Sequence, residues 1–122
     1  MENLDFIDLV DLHILLGNLF DNAIEAVFPL PEEQRIIDFK IYADKGFLRI
    51  QESNYFSGEL KVAGDRLISS KGSDGEYHGF GTRSMRYIVD RYNGELTISS
   101  EGPIFRLYIL IPFPEMQEQE AV

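Results

Sequence analysis

Residues 55–78 carry no helical or strand periodicity, and Gly58, Gly64, Gly72 and Gly75 are scattered through them among Ser, Asp and Lys. A gap this long inside one small domain is a functional loop or a mobile one. It also divides the chain into two halves of similar grammar. Before it, Leu12, Leu16, Leu19, Ala23 and Val27 recur at helical spacing over residues 8–28, and Pro29 and Pro31 end that helix. Residues 36–43 then alternate as a strand with Ile37, Phe39 and Ile41 on one face. Asp44-Lys45-Gly46 supplies a hairpin turn, and residues 47–52 form the return strand. After the gap, residues 82–92 read as a helix with the apolar stripe Met85, Ile88, Val89 and Tyr92, stopped by Asn93-Gly94. Strands over residues 95–99 and 104–111 follow, joined by the turn Glu101-Gly102-Pro103. The predicted fold is α+β: a two-layer α/β sandwich whose mixed, mostly antiparallel sheet carries the helices on one face. Residues 1–113 make the domain, and residues 114–122 a polar, acidic tail that frays.

A chain of 122 residues, 44% hydrophobic and 26% charged, builds one core. It has no cysteine, so disulfides and thiolate metal sites are excluded and a reducing compartment fits. Its apolar runs fall short of the roughly 20 residues of a membrane span, and its first residues lack the basic region of a signal peptide. The expectation is a cytoplasmic domain. A formal net charge of -10 argues against a nucleic-acid binder. It also means that a polyphosphate could be held only with local help from a cation, a few Lys or Arg, or helix-start amides.

Three places could supply that chemistry. On the first helix, Asn18, Asn22 and Glu25 fall within about 60° of one another at 100° per residue, and Asp11 joins the same stripe. Carbonyl ligation of a hard cation is one reading of that stripe, and a solvated polar face is the other. On the return strand, period two carries the inward face from Leu48 and Ile50 on to Glu52 and Asn54. Asn54 there either reads a nucleobase edge or caps a turn. The segment from Lys71 to Thr82 is a glycine-rich loop running into a helix, with Lys71, Arg83 and Arg86 nearby. It is a phosphate cradle or an accident of composition; it is neither a Rossmann fingerprint nor a P-loop.

In this order, LHILLGNLFDNAIEA (12–26), ESNYFSGEL (52–60), SSKGSDGEYHGFGTRSMRYIVDRYNGEL (69–96) and IFRLYILIPF (104–113) resemble the GHKL superfamily of ATP-binding domains. More narrowly they are similar to histidine kinases that sense peptide pheromones in Gram-positive bacteria. The resemblance implies a Bergerat-type site with a mobile ATP lid. Asn22 takes the place of the Mg²⁺ ligand and, with Asn18, stands in the catalytic helix. Asn18 sits where hydrolysing relatives place a water-activating glutamate, and an amide is no general base. Nucleotide contacts are implied for Asn18, Asn22, Glu25, Asn54, Lys71, His78, Gly79, Phe80, Gly81 and Thr82. Two departures stand out: Asn54 replaces the usual adenine-reading aspartate without its two following glycines, and Thr82 replaces a leucine.

The implied function is the ATP-binding catalytic domain of a sensor histidine kinase with cofactors ATP and Mg²⁺. It would present the γ-phosphate to a histidine on a separate dimerisation domain, with a response regulator as indirect partner. The isolated domain would be a monomer, the cytosolic part of a membrane-bound sensor. Two alternatives are an anti-sigma-type serine kinase of the same superfamily and a degenerate module that holds no nucleotide. His13 is assigned a packing role beside Phe20 and Ile24, and His78 the shaping of the lid.

Overall fold

Asp8 opens the first helix by accepting the Val10 N–H on its carboxylate at 2.8 Å, which satisfies one of the donors a helix start leaves unpaired. In the computed structural model, which describes residues 6–57, 61–63, 66–68 and 75–114, that helix is α1, Leu9–Val27. A short 3-10 turn at Glu32–Gln34 follows the prolines and leads to β1, Ile37–Asp44, and β2, Phe47–Tyr55. Two short strands, β3 (Lys61–Ala63) and β4 (Arg66–Ile68), pair with each other apart from the main sheet. Helix α2 spans Gly75–Arg91, and β5 (Glu95–Glu101) and β6 (Ile104–Pro112) complete the fold. The main sheet has the order β1-β2-β6-β5, and every strand pair among the described residues is antiparallel.

The turns behave as local chemistry requires. Lys45 and Gly46 both take positive φ, 54° and 84°, the pair a two-residue hairpin loop needs to match strand twist. At the end of α2, Asn93 adopts the left-handed conformation (φ 61°) and the Gly94 N–H bonds back to the Val89 carbonyl at 2.9 Å. Gly94 is glycine for a different reason: a Cβ there would lie 2.5 Å from the Leu110 carbonyl oxygen of β6.

One face of the sheet carries the core. Leu48 and Ile50 of β2 and Phe105, Leu107, Ile109 and Ile111 of β6 meet Leu15 and Leu19 of α1 and Met85, Ile88 and Val89 of α2. Both helices therefore pack on one side, as the two-layer reading expects. On the other side Tyr42, Arg49, Gln51 and Tyr108 form a polar lattice, with Arg49 donating to the Tyr108 hydroxyl at 2.5 Å and Gln51 to that of Tyr42 at 3.1 Å.

Three expectations need correction. The buried row of α1 is Asp11, Leu15, Leu19, Ala23 and Val27; Leu12 and Leu16 are only half-buried. Leu15 and Leu16 are equally apolar, and hydropathy alone cannot tell which of two adjacent rows faces the sheet. Helix α2 begins at Gly75 rather than near residue 82. Glycine weakens a helix by about 1 kcal/mol per residue relative to alanine, but it does not forbid the bond that each added residue gains. The stretch expected to be loop also contains the β3–β4 hairpin. Residues 58–60, 64–65 and 69–74, within the stretch expected to form a mobile lid, lie outside the described residues, and with them Lys71; most of the acidic tail does as well.

Candidate functional site

Contacts fix which ends of the elements meet. Asp11, near the start of α1, accepts hydrogen bonds from the Tyr92 hydroxyl at 2.5 Å and from Arg91 at 3.3 Å, both at the end of α2. The Tyr92 hydroxyl in turn accepts the Asp8 N–H at 3.0 Å, and its bond to Asp11 raises its pKa above the ordinary phenol value. The two helices pack along each other, so this pairing of a start with an end makes them antiparallel. Phe6 marks the same end of the sheet: its ring meets Tyr92 at 6.4 Å and Phe113 at 5.3 Å. The neighbouring Pro112 is in register with Phe47, the first residue of β2.

The opposite end follows by counting. Asn22 lies about 16 Å along α1 from Asp11, and Thr82 about 14 Å back along α2 from Arg91, at 1.5 Å per residue. Glu52 and Asn54 are at the far end of β2 from Phe47. Phe20 of α1 confirms the level, because its ring packs at 4.8 Å on Phe39, the register partner of Glu52. The end of α1, the start of α2 and the end of β2 thus converge on one end of the molecule.

Unpaired buried polar atoms gather there. Asn54 is 3% exposed; its Nδ2 donates to the Tyr55 carbonyl at 2.7 Å, and its Oδ1 has no hydrogen-bond partner. Glu52 is 2% exposed, with neither carboxylate oxygen bonded. Asn22 is half-buried, with Nδ2 unpaired. Folded proteins pair the great majority of buried polar atoms, so three such residues from two elements, at one end of the domain, make this end the candidate ligand site. Burial pushes the Glu52 carboxyl up to about 8, with repulsion from Asp38 adding to it. The carboxyl is therefore neutral at pH 7 and can donate a hydrogen.

Apart from Lys71, which lies outside the described residues, the candidate site residues of the sequence have these places. Asn18 and Asn22 are half-buried and Glu25 exposed along one edge of α1, and Thr82 is buried on α2. Asp11, expected on the same stripe, belongs instead to the tie between the helices. His78, Gly79, Phe80 and Gly81 lie within α2, which corrects the expectation of a loop up to residue 82. The N–H groups that a helix start leaves free are then those of its first four residues, beginning at Gly75. His13 is exposed at the rim of a shallow apolar groove with Leu9, Leu12, Leu16 and Phe20, not packed in the core. A second depression, bordered by Asp38, Lys40, Glu52, Ser53, Arg106 and Tyr108, opens on the polar face of the sheet and holds none of the asparagines. Glu52 is the residue whose role the sequence reading missed. Its signal was a charged side chain on the inward face of a strand.

Among the described residues, no group of three or more His, Asp or Glu could hold a metal. A Mg²⁺ ion at this end would rest on one or two amide oxygens, with phosphate and water supplying the other ligands, which suits its reluctance to dehydrate.

Comparison with known proteins covers nearly the whole chain. The profile of the GHKL domain matches residues 7–112. A probable C4-dicarboxylate sensor kinase of Halalkalibacterium halodurans is 26% identical over 106 residues, covering 81% of this chain and 20% of that protein. The catalytic domain of histidine kinase ThkA superposes with a TM-score of 0.64 at 22% identity, over 90% of this chain and 71% of that one. The mycobacterial sensor histidine kinase MprB gives 0.64 at 18% identity, over 86% of this chain and 72% of its own.

Proposed function

The chain belongs to the GHKL domain family, and from that premise we propose that it is the Mg-ATP-binding catalytic domain of a two-component sensor histidine kinase. The observation that carries the proposal is the convergence of unpaired Asn22 and Asn54 at one end of the fold. One stands where phosphates would lie beside a helix start, the other where a base would be read.

The Asn54 amide is held by its bond to the Tyr55 carbonyl, which leaves Oδ1 as an acceptor for the adenine amino group. Asn22, with Asn18 one turn earlier and Glu25 beyond, lines the phosphate end and offers a carbonyl oxygen to Mg²⁺. The ion, when bound, would neutralise charge on the phosphate oxygens. The first turn of α2 would face the same phosphates with the free amides of residues 75–78 and its positive dipole end. His78 closes that turn, Gly79, Phe80, Gly81 and Thr82 follow it in the helix, and Lys71 precedes it. Asn18 carries no proton-accepting group, so the domain would keep ATP for transfer rather than activate water against it. Positioning and charge neutralisation do the rest, with the γ-phosphate presented to a histidine on the dimerisation and phosphotransfer domain of the same kinase.

The chain spans one-fifth of the curated relative it matches, so the acceptor domain, the response regulator and the membrane-bound sensor are parts of the proposal. So is the subfamily: Asn54, in place of the common aspartate, favours the peptide-pheromone-sensing kinases. The isolated domain would be monomeric. No helix among the described residues is long and apolar enough to cross a membrane.

Calorimetric titration of folded variants tests the assignment. Asn22→Ala should weaken Mg-ATP strongly and adenosine hardly at all. Asn54→Ala should weaken both by about 1–2 kcal/mol, the worth of a neutral hydrogen bond in a desolvated pocket. Asn54→Asp should bind at least as well as the parent. Equal responses of the two alanine variants to the two ligands would mean that the pocket is elsewhere.

A further inference from the structure

Glu52 is a buried, unpaired carboxyl that the reading above leaves unused. It stands two residues before Asn54 on β2, so both side chains leave the same face of the strand, with about 7 Å between their Cα atoms. Glutamate is one methylene longer than asparagine and can lean towards its neighbour. Phe39 and Leu107, its register partners on β1 and β6, flank it with apolar surface, and Phe20 packs on Phe39 from above. Nothing in this surrounding satisfies either oxygen.

We propose that Glu52 is a second base-reading residue, donating its carboxyl hydrogen to ring nitrogen N1 of the adenine whose amino group bonds to Asn54. The two side chains then match adjacent atoms of one base edge, an acceptor for the exocyclic N–H and a donor for the ring nitrogen. The tie from Asn54 Nδ2 to the Tyr55 carbonyl fixes which way the amide faces, so the donor at N1 must come from another group. A neutral glutamic acid supplies it, and the apolar flanks keep it neutral. The pairing also explains why a strand would keep an acid where Leu48 and Ile50 continue the core. An apolar residue at position 52 would pack as well and read nothing.

This inference rests on the nucleotide reading, and the experiment separates the two. ATP and 1-deaza-ATP, in which N1 is replaced by C–H, are titrated at pH 7 against the domain, Glu52→Gln and Glu52→Leu. The parent should bind 1-deaza-ATP roughly five- to tenfold more weakly than ATP, the worth of one neutral hydrogen bond. Glu52→Gln, which keeps an N–H donor, should retain that gap, and Glu52→Leu should close it. A purely structural role for Glu52 would leave the ratio of the two ligands unchanged among variants. Equal binding of both ligands by the parent, or a gap that survives in Glu52→Leu, overturns the proposal and leaves nucleotide binding standing. Binding of neither ligand by the parent overturns both.

Discussion

Replacing Glu52 by glutamine should stabilise the domain by an amount that depends on pH. Unfolded, the carboxyl ionises through its ordinary value of 4.5; folded, it stays protonated up to about 8. Between these values the unfolded chain releases a proton that the fold retains, so stability falls as pH rises. Below the lower value both states are protonated and the group contributes no such loss. Above the upper value both are ionised and the loss has reached its full extent. The separation of the two values corresponds to on the order of 5 kcal/mol, a large share of a small domain's stability. Glutamine removes the titration, so the stability difference between variant and parent isolates it from the general repulsion of a chain with net charge -10. Urea denaturation of both proteins from pH 5 to pH 9 measures that difference. It should be small at pH 5, grow by roughly 1.4 kcal/mol per pH unit through the neutral range and level off near pH 9. A difference that stays constant from pH 5 to pH 9 would refute the buried neutral carboxyl.

Other substitutions probe the frame around the site. Gly94→Ala should lose about 1–3 kcal/mol in denaturant titration, because the new methyl meets a β6 carbonyl at 2.5 Å and backbone cannot give way as a side chain can. Tyr92→Phe should lose about 1.5–3 kcal/mol by the same measurement, since it removes the hydroxyl bonded to the Asp11 carboxylate. Lys45→Asn should raise the thermal midpoint slightly, with a gain under about 1 kcal/mol, because asparagine tolerates the positive φ that lysine adopts there.

What could be read in advance follows the range of the forces involved. The hairpin at Lys45-Gly46 and the stop at Asn93-Gly94 were legible because a few adjacent residues decide them. So was the inward direction of Asn54, which strand alternation carries from Ile50. The pairing of β2 with β6 was not legible, because it joins residues far apart in the chain and no local pattern encodes it. The choice of Leu15 over Leu16, and the extension of α2 through Gly79 and Gly81, depend on neighbours that a hydropathy pattern does not contain. Glu52 was visible on the inward face, but its charge state depends on burial by elements that arrive from elsewhere. The asparagines could be nominated individually; only antiparallel helices bring the far end of α1 and the near end of α2 to one place.

The tie of Asp11 to Tyr92 and Arg91 gives those helices the mechanics of a lever. It pins the pair at the end remote from the asparagines, with the Phe6, Tyr92 and Phe113 rings as a bearing. A tilt of α2 by about 5° about that fulcrum displaces Tyr92 scarcely at all but carries Thr82, about 14 Å away, through about 1.2 Å. A rotation about that end would thus be largest where phosphates would lie.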